Sequence, residues 1–309
     1  MKIFGPVPSR RLGNSLGINI IPAKVCSYSC IYCQIGSTNR KQVNQEVFYN
    51  SWEIYEEVCR KLEKITDNID YLTFVADGEP TLDKELGRKI ELLKPLGFKI
   101  AVISNASLII DKKVRESLLN ADLVSLKVDA IDENTWKKIN RPVKSLRLEL
   151  ILEGILSFQK AFSNTLFSET MLVKGVNDSE EEVQGVADFL GRMNPDLAFL
   201  SVPIRPPATD WVRPPSEKAL VRAYQQLSDQ CRKVETLTGY EGNEFGTTGN
   251  VEEDLLSIMA VHPMRKDAID EFLERNNEDW SVIDKLLAKE HLTQLEYQGK
   301  TFYLRRFSA

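Results

Sequence analysis

The feature that most limits the fold of this chain is a strand–helix alternation that repeats six times. Short apolar runs at 16–21, 71–76, 99–104, 123–128, 166–173 and 197–204 read as strands. Between them lie segments with helical spacing. The first has Trp52, Tyr55, Val58, Leu62 and Ile65 on one face after Ser51, and others fall near 83–94, 111–119, 132–139, 146–161 and 215–236. Ser179 and Glu182 have the spacing of a capping box ahead of a further helix. Several strand runs are apolar without a break, as strands buried on both faces of a parallel sheet must be. The pattern predicts an α/β fold, a partial (β/α)6 TIM-like barrel. In such folds chemistry gathers on the loops that follow the strand ends. Here those loops are a cysteine-rich segment, DGEP, SNAS, KVDA, VKG and RPPA.

A chain of 309 residues has room for about two domains of ordinary size. GYEGNEFGTTGN (239–250) has four glycines in twelve residues and reads as a linker, with neither a Walker lysine nor a preceding strand to make it a phosphate loop. Beyond it, three short helical stretches precede a hairpin turning at Gln298-Gly299, a winged-helix-like pattern. The expected organisation is a barrel over 1–238, a linker over 239–250 and a winged-helix-like domain over 251–309. No apolar stretch has the length of a membrane span or of a signal-peptide core, so the expected location is the cytoplasm. Net charge is -5, which argues against a surface coated for general nucleic-acid binding. Residues 1–45 nevertheless carry Lys2, Arg10, Arg11, Lys24, Arg40 and Lys41 and no Asp or Glu, a segment suited to something anionic.

Five cysteines in a long chain do not make a disulfide framework. Cys26, Cys30 and Cys33 form C-x-x-x-C-x-x-C and read as metal ligands, whereas Cys59 and Cys231 fall in helices and read as packing thiols. A structural zinc site wants a fourth ligand. The candidates are those two helical cysteines and His262 and His291, which read as caps or surface residues. Three thiolates can instead hold three corners of a cubane iron–sulfur cluster and leave one iron open to chemistry.

CSYSCIYC resembles the signature of radical S-adenosylmethionine (radical SAM) enzymes, with Tyr32 in its aromatic position. The resemblance extends over about residues 1–236. It implies a 4Fe-4S cluster on Cys26, Cys30 and Cys33 whose open iron chelates S-adenosylmethionine, reductive cleavage to a 5′-deoxyadenosyl radical, and hydrogen abstraction from a substrate. It also implies a reducing electron donor, flavodoxin- or ferredoxin-like. Gly78, Glu79 and Pro80 look like the motif that receives the cofactor's amino group, with Asp77 standing where a glycine is usual. Ser104 and Asn105 resemble the polar pair near the cofactor, and Ser125 and Lys127 the residues for its ribose and carboxylate. Tyr32 would support the adenine end. Lys127 on an apolar strand needs a carboxylate partner, which the cofactor or else Asp129 could supply.

The stretch GPVPSRRLGNSLGINIIPAKVCSYSCIYCQIG is similar to a radical SAM group related to wyosine-type transfer-RNA-modifying synthases, without the second cysteine cluster of those enzymes. That resemblance points to an RNA nucleoside as substrate. Arg10 and Arg11, with Arg205 and Arg213 on either side of Trp211, are candidates to hold phosphate and stack a base, and Glu169 is a further candidate substrate contact. The C-terminal segment pulls the other way. Beyond Gly249 it has eight Lys and Arg against twelve Asp and Glu, which suits docking of a peptide or protein substrate better than binding a duplex. A third reading is an iron–sulfur DNA-binding regulator that does no chemistry.

Overall fold

The computed structural model describes residues 2–75, 77–239 and 242–306. Its strands are β1 Ile3–Ser9, β2 Gly13–Ile18, β3 Val25–Cys26, β4 Arg40–Lys41, β5 Tyr71–Phe74, β6 Lys99–Ser104, β7 Leu123–Lys127, β8 Thr165–Met171, β9 Leu197–Ser201, β10 Val234–Leu237, β11 Met264–Arg265, β12 Leu292–Tyr297 and β13 Lys300–Arg305. The helices are α1 Ser51–Leu62, α2 Leu86–Leu93, α3 Lys112–Leu118, α4 Glu133–Asn140, α5 Leu148–Ala161, α6 Glu180–Met193, α7 Glu217–Gln230, α8 Val251–Val261, α9 Lys266–Arg275 and α10 Ser281–Ala288.

Eight strands form one curled sheet in the order β1-β2-β5-β6-β7-β8-β9-β10. From β2 onward every neighbour is parallel, and the six strands expected from the sequence are consecutive in it. The fold is a half-barrel with helices on its outer face. Its main core includes Leu16, Ile18, Leu72, Phe74, Ile100, Val102, Val124 and Leu126, strand residues that point outward beneath those helices. Their alternate neighbours point inward. Leu12, Ala101 and Leu123, joined by Tyr71, Ile103 and Phe167, plug the lower end of the barrel. Polar and charged residues are left for the upper end.

Two elements were not expected. β1 pairs antiparallel with β2 at one edge. Its prolines and glycine hide the strand pattern, which an edge position tolerates. The helix expected over 215–236 ends at Gln230, and Val234–Leu237 adds a parallel strand beside β9 at the other edge. Helix α1 opens at Ser51 as expected; Asn50 caps it by accepting from Trp52 N, while the Ser51 hydroxyl donates to Glu85. Ser179 caps α6, but the Glu182 carboxylate accepts from Thr135 Oγ1 at 2.7 Å, so the reciprocal half of the capping box is replaced by a tertiary contact.

The C-terminal segment packs α8, α9 and α10 against a three-stranded sheet of order β11-β13-β12, with Phe245, Leu255, Ile258, Ile269, Phe272, Ile283 and Leu286 in its core. The hairpin turns at Gln298-Gly299, both at positive φ. The glycine-rich stretch before it is packed along part of its length: Phe245 is buried and Gly246 N donates to Pro6 O of β1 at 2.8 Å. Of that stretch, Tyr240 and Glu241 lie outside the described residues.

One buried ion pair braces the loop after β5. Lys89 of α2 is fully buried, and its ammonium donates to both oxygens of Asp83 at 3.0 and 3.1 Å. Removing one partner of such a pair strands the other charge in the interior. Lys89→Ala should therefore lower the unfolding free energy by about 3–5 kcal/mol, measured by chemical denaturation.

Candidate active site

At the upper end of the half-barrel lies a cavity of about 270 Å³. Its lining includes all three clustered cysteines, Tyr32 and Gln34 from their loop, Gly78 and Glu79 after β5, Ser104 and Asn105 at the end of β6, Lys127 on β7, Glu169 on β8 and Ser201 on β9. Arg10, Arg11 and Arg205 complete the charged part of the wall. Most of the residues singled out in the sequence thus meet in one place, drawn from the ends of successive strands.

The cysteine loop is held rigid from several sides. The short parallel pair β3–β4 closes its base. Turns inside it are fixed by Cys33 N to Cys30 O and Gly36 N to Cys33 O, each 3.1 Å. The C-terminal end of α4 docks on its outer side, where Ser29 N and Ile31 N donate to the carbonyls of Asn140 and Ile139 at 2.9 Å. Beneath it, Trp136 Nε1 donates to the Tyr28 hydroxyl at 3.2 Å, with the two rings edge to face. Gly78 presses against the loop so closely that a Cβ there would lie 1.7 Å from the Val25 carbonyl oxygen. Only glycine fits that backbone contact.

Glu79 is 1% exposed, and its carboxylate is fully engaged by the protein. Oε1 accepts from Thr81 N, Thr81 Oγ1 and Ser104 Oγ, and Oε2 accepts from Asn105 N at 2.7 Å. The glutamate therefore ties the end of β5 to the end of β6 and sets Asn105. The Asn105 amide in turn donates to Ser27 Oγ at 3.0 Å and approaches Cys26 Sγ at 3.5 Å. Pro80 starts the 3-10 turn that follows and lies outside the cavity lining.

Asn140, which the sequence gave no reason to single out, does the same work for the second cysteine. Its amide lies 3.4 Å from Cys30 Sγ, 3.3 Å from the Tyr32 hydroxyl and 2.7 Å from Asp129 Oδ2. The Tyr32 hydroxyl donates to the same Asp129 oxygen, and Met171 N holds the other at 2.9 Å. Asp129 is thereby committed to the loop. The only signal in the sequence was a polar residue closing an amphipathic helix, which is what any helix end looks like.

Lys127 has its expected carboxylate partner, and it is Glu169. Lys127 Nζ lies 3.1 Å from Glu169 Oε1, Ser201 Oγ donates to the same oxygen at 3.0 Å, and Arg11 Nη1 pairs with Oε2. Burial alone would raise the Glu169 pKa, but Arg11 and Lys127 hold it down to about 2. Two cations thus share one buried carboxylate. The lining as a whole carries Arg10, Arg11, Lys127 and Arg205 against Glu79 and Glu169, an excess of positive charge. Lys127 Nζ also sits 5.1 Å over the Tyr32 ring.

Other expected residues are placed differently. Ser125 is on the same inward face of β7 as Lys127; its hydroxyl is buried with no hydrogen-bond partner, and it does not line the cavity. Arg205 donates to Gln34 Oε1 at 2.8 Å, and its Nη2 lies 3.2 Å from His262 Nε2, at the junction with the C-terminal segment. Trp211 is 49% exposed and outside the cavity, and the Arg213 guanidinium is bound to the carbonyls of Asp210 and Val212 of its own loop. Arg205, Trp211 and Arg213 therefore do not form one stacking platform. His262 is buried at the end of α8, and His291 is exposed.

Among the described residues, no three or more His, Cys, Asp or Glu side chains are gathered closely enough to hold a single metal ion. The three cysteines line one cavity, and an all-sulfur donor set suits three corners of a cubane cluster. Burial pushes the thiol of Cys30 up to about 12, and those of Cys26 and Cys33 upward as well. Binding to a cationic cluster would reverse that preference, since ligation deprotonates a thiol outright.

A family model described as the radical SAM superfamily matches residues 20–190. A UPF0026 protein of Methanocaldococcus jannaschii is 44% identical over 309 residues, covering 99% of this chain and 96% of that protein. Among solved structures, TYW1 with a lysine–pyruvate adduct bound has a TM-score of 0.53 at 18% identity, over 70% of this chain and 74% of that one. SuiB of Streptococcus suis bound to S-adenosylmethionine has a TM-score of 0.55 at 16% identity, over 74% of this chain and 53% of that one. At these identities the structural likeness speaks for the fold.

Two predictions follow from the charges at the rim. Glu169→Gln would leave Arg11 and Lys127 facing each other without a counter-ion, and should lower the unfolding free energy by about 3–5 kcal/mol, seen in denaturant titrations near neutral pH. Asp77 behaves in the opposite sense. Burial pushes it from 3.8 up to about 7, offset only in part by the Asn19 amide and by Arg305 and Lys24, and its Oδ1 has no hydrogen-bond partner among the described residues. A carboxyl raised on folding contributes stability at low pH that is lost as pH climbs through the folded value. Between about pH 4 and pH 7 the parent protein should lose stability relative to Asp77→Asn, in paired thermal melts across that range.

Proposed function

Because the chain belongs to the radical SAM superfamily and is a radical SAM enzyme, we propose that it abstracts hydrogen from an RNA nucleoside, in a cytoplasmic setting that protects an oxygen-sensitive centre. When bound, a 4Fe-4S cluster and S-adenosylmethionine supply the electron and the 5′-deoxyadenosyl radical that this chemistry needs.

The rest falls to the protein. Cys26, Cys30 and Cys33 would ligate three irons, in a loop clamped by Gly78, Trp136 and Asn140. Asn105 and Asn140 each direct an amide at a ligand sulfur. Glu79 holds Ser104 and Asn105 in place, and the Gly78-Glu79 segment would receive the amino group of the cofactor. Lys127 would take its carboxylate, and Tyr32, fixed by Asp129, would flank its adenine. Arg10, Arg11 and Arg205 line the cavity and would contact substrate, with Glu169 orienting Arg11.

The observation that carries the substrate class is the excess of positive charge around the cavity, which suits the phosphate beside a nucleoside. A peptide or protein substrate is the second reading. It is favoured by the position of residues 251–309, read here as a winged-helix-like docking domain: the Tyr297 hydroxyl and the Gln298 amide both donate to the carbonyl of Pro203 at the cavity rim.

Anaerobic reconstitution should load about four irons per chain. Cys26→Ala, Cys30→Ala and Cys33→Ala should each lose them, whereas Cys59→Ser should keep the full complement in iron and sulfide assays. Substrate class can be read from one assay. Extract from a strain lacking the protein should stimulate 5′-deoxyadenosine formation by the reduced enzyme, and ribonuclease treatment of the extract should abolish the stimulation. Sensitivity to protease instead would replace the RNA reading with the peptide one.

A further inference from the structure

A small apolar cluster joins four segments at one side of the cavity. Ile31 of the cysteine loop, Ile139 of α4, Val173 after β8 and Val212 after β9 are fully buried against one another. Tyr32 and Met171, which line the active-site cavity, pack on the same cluster. Residues that flank these in the chain are exposed and basic: Lys138 and Arg141 at the end of α4, Lys174 after β8 and Arg213 after β9. Lys41 of β4 joins them through its ammonium, which donates to the Arg141 carbonyl at 3.3 Å. Lys138 Nζ donates to Gly175 O at 3.2 Å, and Lys174 N donates to Arg213 O at 3.0 Å. These cations form one band on a wall whose other side is the cavity.

The charge of the band is not neutralised in place. Among the described residues, none of its cations is ion-paired with a carboxylate. Of the acids close in the chain, Glu133 pairs with Lys137 at 2.8 Å, and Asp178 Oδ1 accepts from Gly175 N at 2.7 Å. Asp210, exposed beside Trp211, returns one negative charge. The first turns of α6 and α7, with Glu180, Glu181 and Glu217, are acidic and bound the band on that side.

The chemistry of the band favours one kind of partner. A protein partner is met by an apolar centre inside a polar rim, but the apolar side chains that unite this band are buried within it. Its large exposed side chain is the half-exposed ring of Trp211. Successive cations with an exposed ring suit a phosphodiester strand, whose backbone follows the charge and whose bases stack on the ring. The ammonium groups of Lys41 and Lys138 each spend one donor on a carbonyl and keep the others for phosphate.

We propose that this band holds the RNA strand next to the nucleoside that enters the cavity, with Trp211 stacking an unpaired flanking base. The inference rests on the RNA reading above and adds the surface that grips the substrate outside the cavity. An enzyme that acts on one base takes it out of its stack. The neighbouring phosphates then remain outside, and they need partners of their own.

The test is a binding measurement on the reconstituted holoenzyme, with a fluorescein-labelled oligouridylate of about 15 nucleotides read by fluorescence anisotropy. The affinity of the parent should fall steeply with salt. Lys138→Glu/Lys174→Glu should weaken binding on the order of tenfold and make the logarithmic salt slope shallower by roughly 1.4. Lys138→Gln/Lys174→Gln is the gentler pair and should give a smaller loss of the same kind. Trp211→Ala should weaken binding severalfold with the salt slope unchanged, because stacking releases no counterions. Lys112→Glu/Lys113→Glu makes the same charge change on α3 and should bind as the parent does. Equal affinity in the parent and both band variants, or an equal loss in the α3 control, would overturn the proposal and leave the RNA reading standing. A parent that binds polyglutamate and no RNA would overturn it in favour of an acidic protein partner. Stimulation by extract that survives ribonuclease is the separate failure of the RNA reading itself.

Discussion

Everything at the active site depends on keeping three thiols facing one cavity without letting them collapse onto each other. A loop of eight residues cannot do this alone, because thiolates repel and neutral thiols have no reason to converge. The protein solves it from outside the loop. Gly78 brings the end of β5 into backbone contact with Val25, Asn140 and Ile139 accept from the far side, and Trp136 supports Tyr28 underneath. These contacts come from two separate βα units, the end of β5 and the helix α4 that follows β7, so the loop is only as rigid as the half-barrel itself. A loop held in this way would accept a preformed cubane with little reorganisation.

Around that loop the charges are arranged in layers. Below the sulfurs, Glu79 has four donors and no cation, a carboxylate used as a structural joint between two strand ends. Beside them, Glu169 sits between Arg11 and Lys127, so each cation is held in a fixed direction at the cost of sharing one counter-ion. Buried charge of this kind is expensive, and an ion pair on an otherwise apolar strand is weak evidence for stability. Its value is orientation. An anionic ligand entering the cavity would meet cations already aimed and stripped of much of their water.

The sequence was most informative where one physical rule dominated. Buried parallel strands must be apolar on both faces, so the six barrel strands were visible, and KIAVIS matched β6 over Lys99–Ser104 to the residue. The cysteine spacing, and the oddity of Lys127 on β7, likewise pointed at chemistry before any coordinates. What stayed hidden were contacts that only folding creates. β1 is an edge strand with prolines, and β10 is four residues long with burial that does not alternate, so neither carries a clear period. Asn140 is an ordinary helix-ending residue until α4 is laid across the loop. Trp211 and Arg213 looked like partners of Arg205 because they are close in sequence, yet the loop turns them away. Arg10 and Arg11 were placed before the first barrel strand correctly, but only the β1–β2 turn explains how Arg11 reaches Glu169.

The most direct test of the account is Mössbauer spectroscopy of the anaerobically reconstituted protein before and after S-adenosylmethionine is added. The account predicts a cubane cluster in which one iron of the four, and only one, changes its parameters when the cofactor binds. Spectra that the cofactor leaves unaltered, or a protein that takes up mononuclear metal and no cluster, would contradict it.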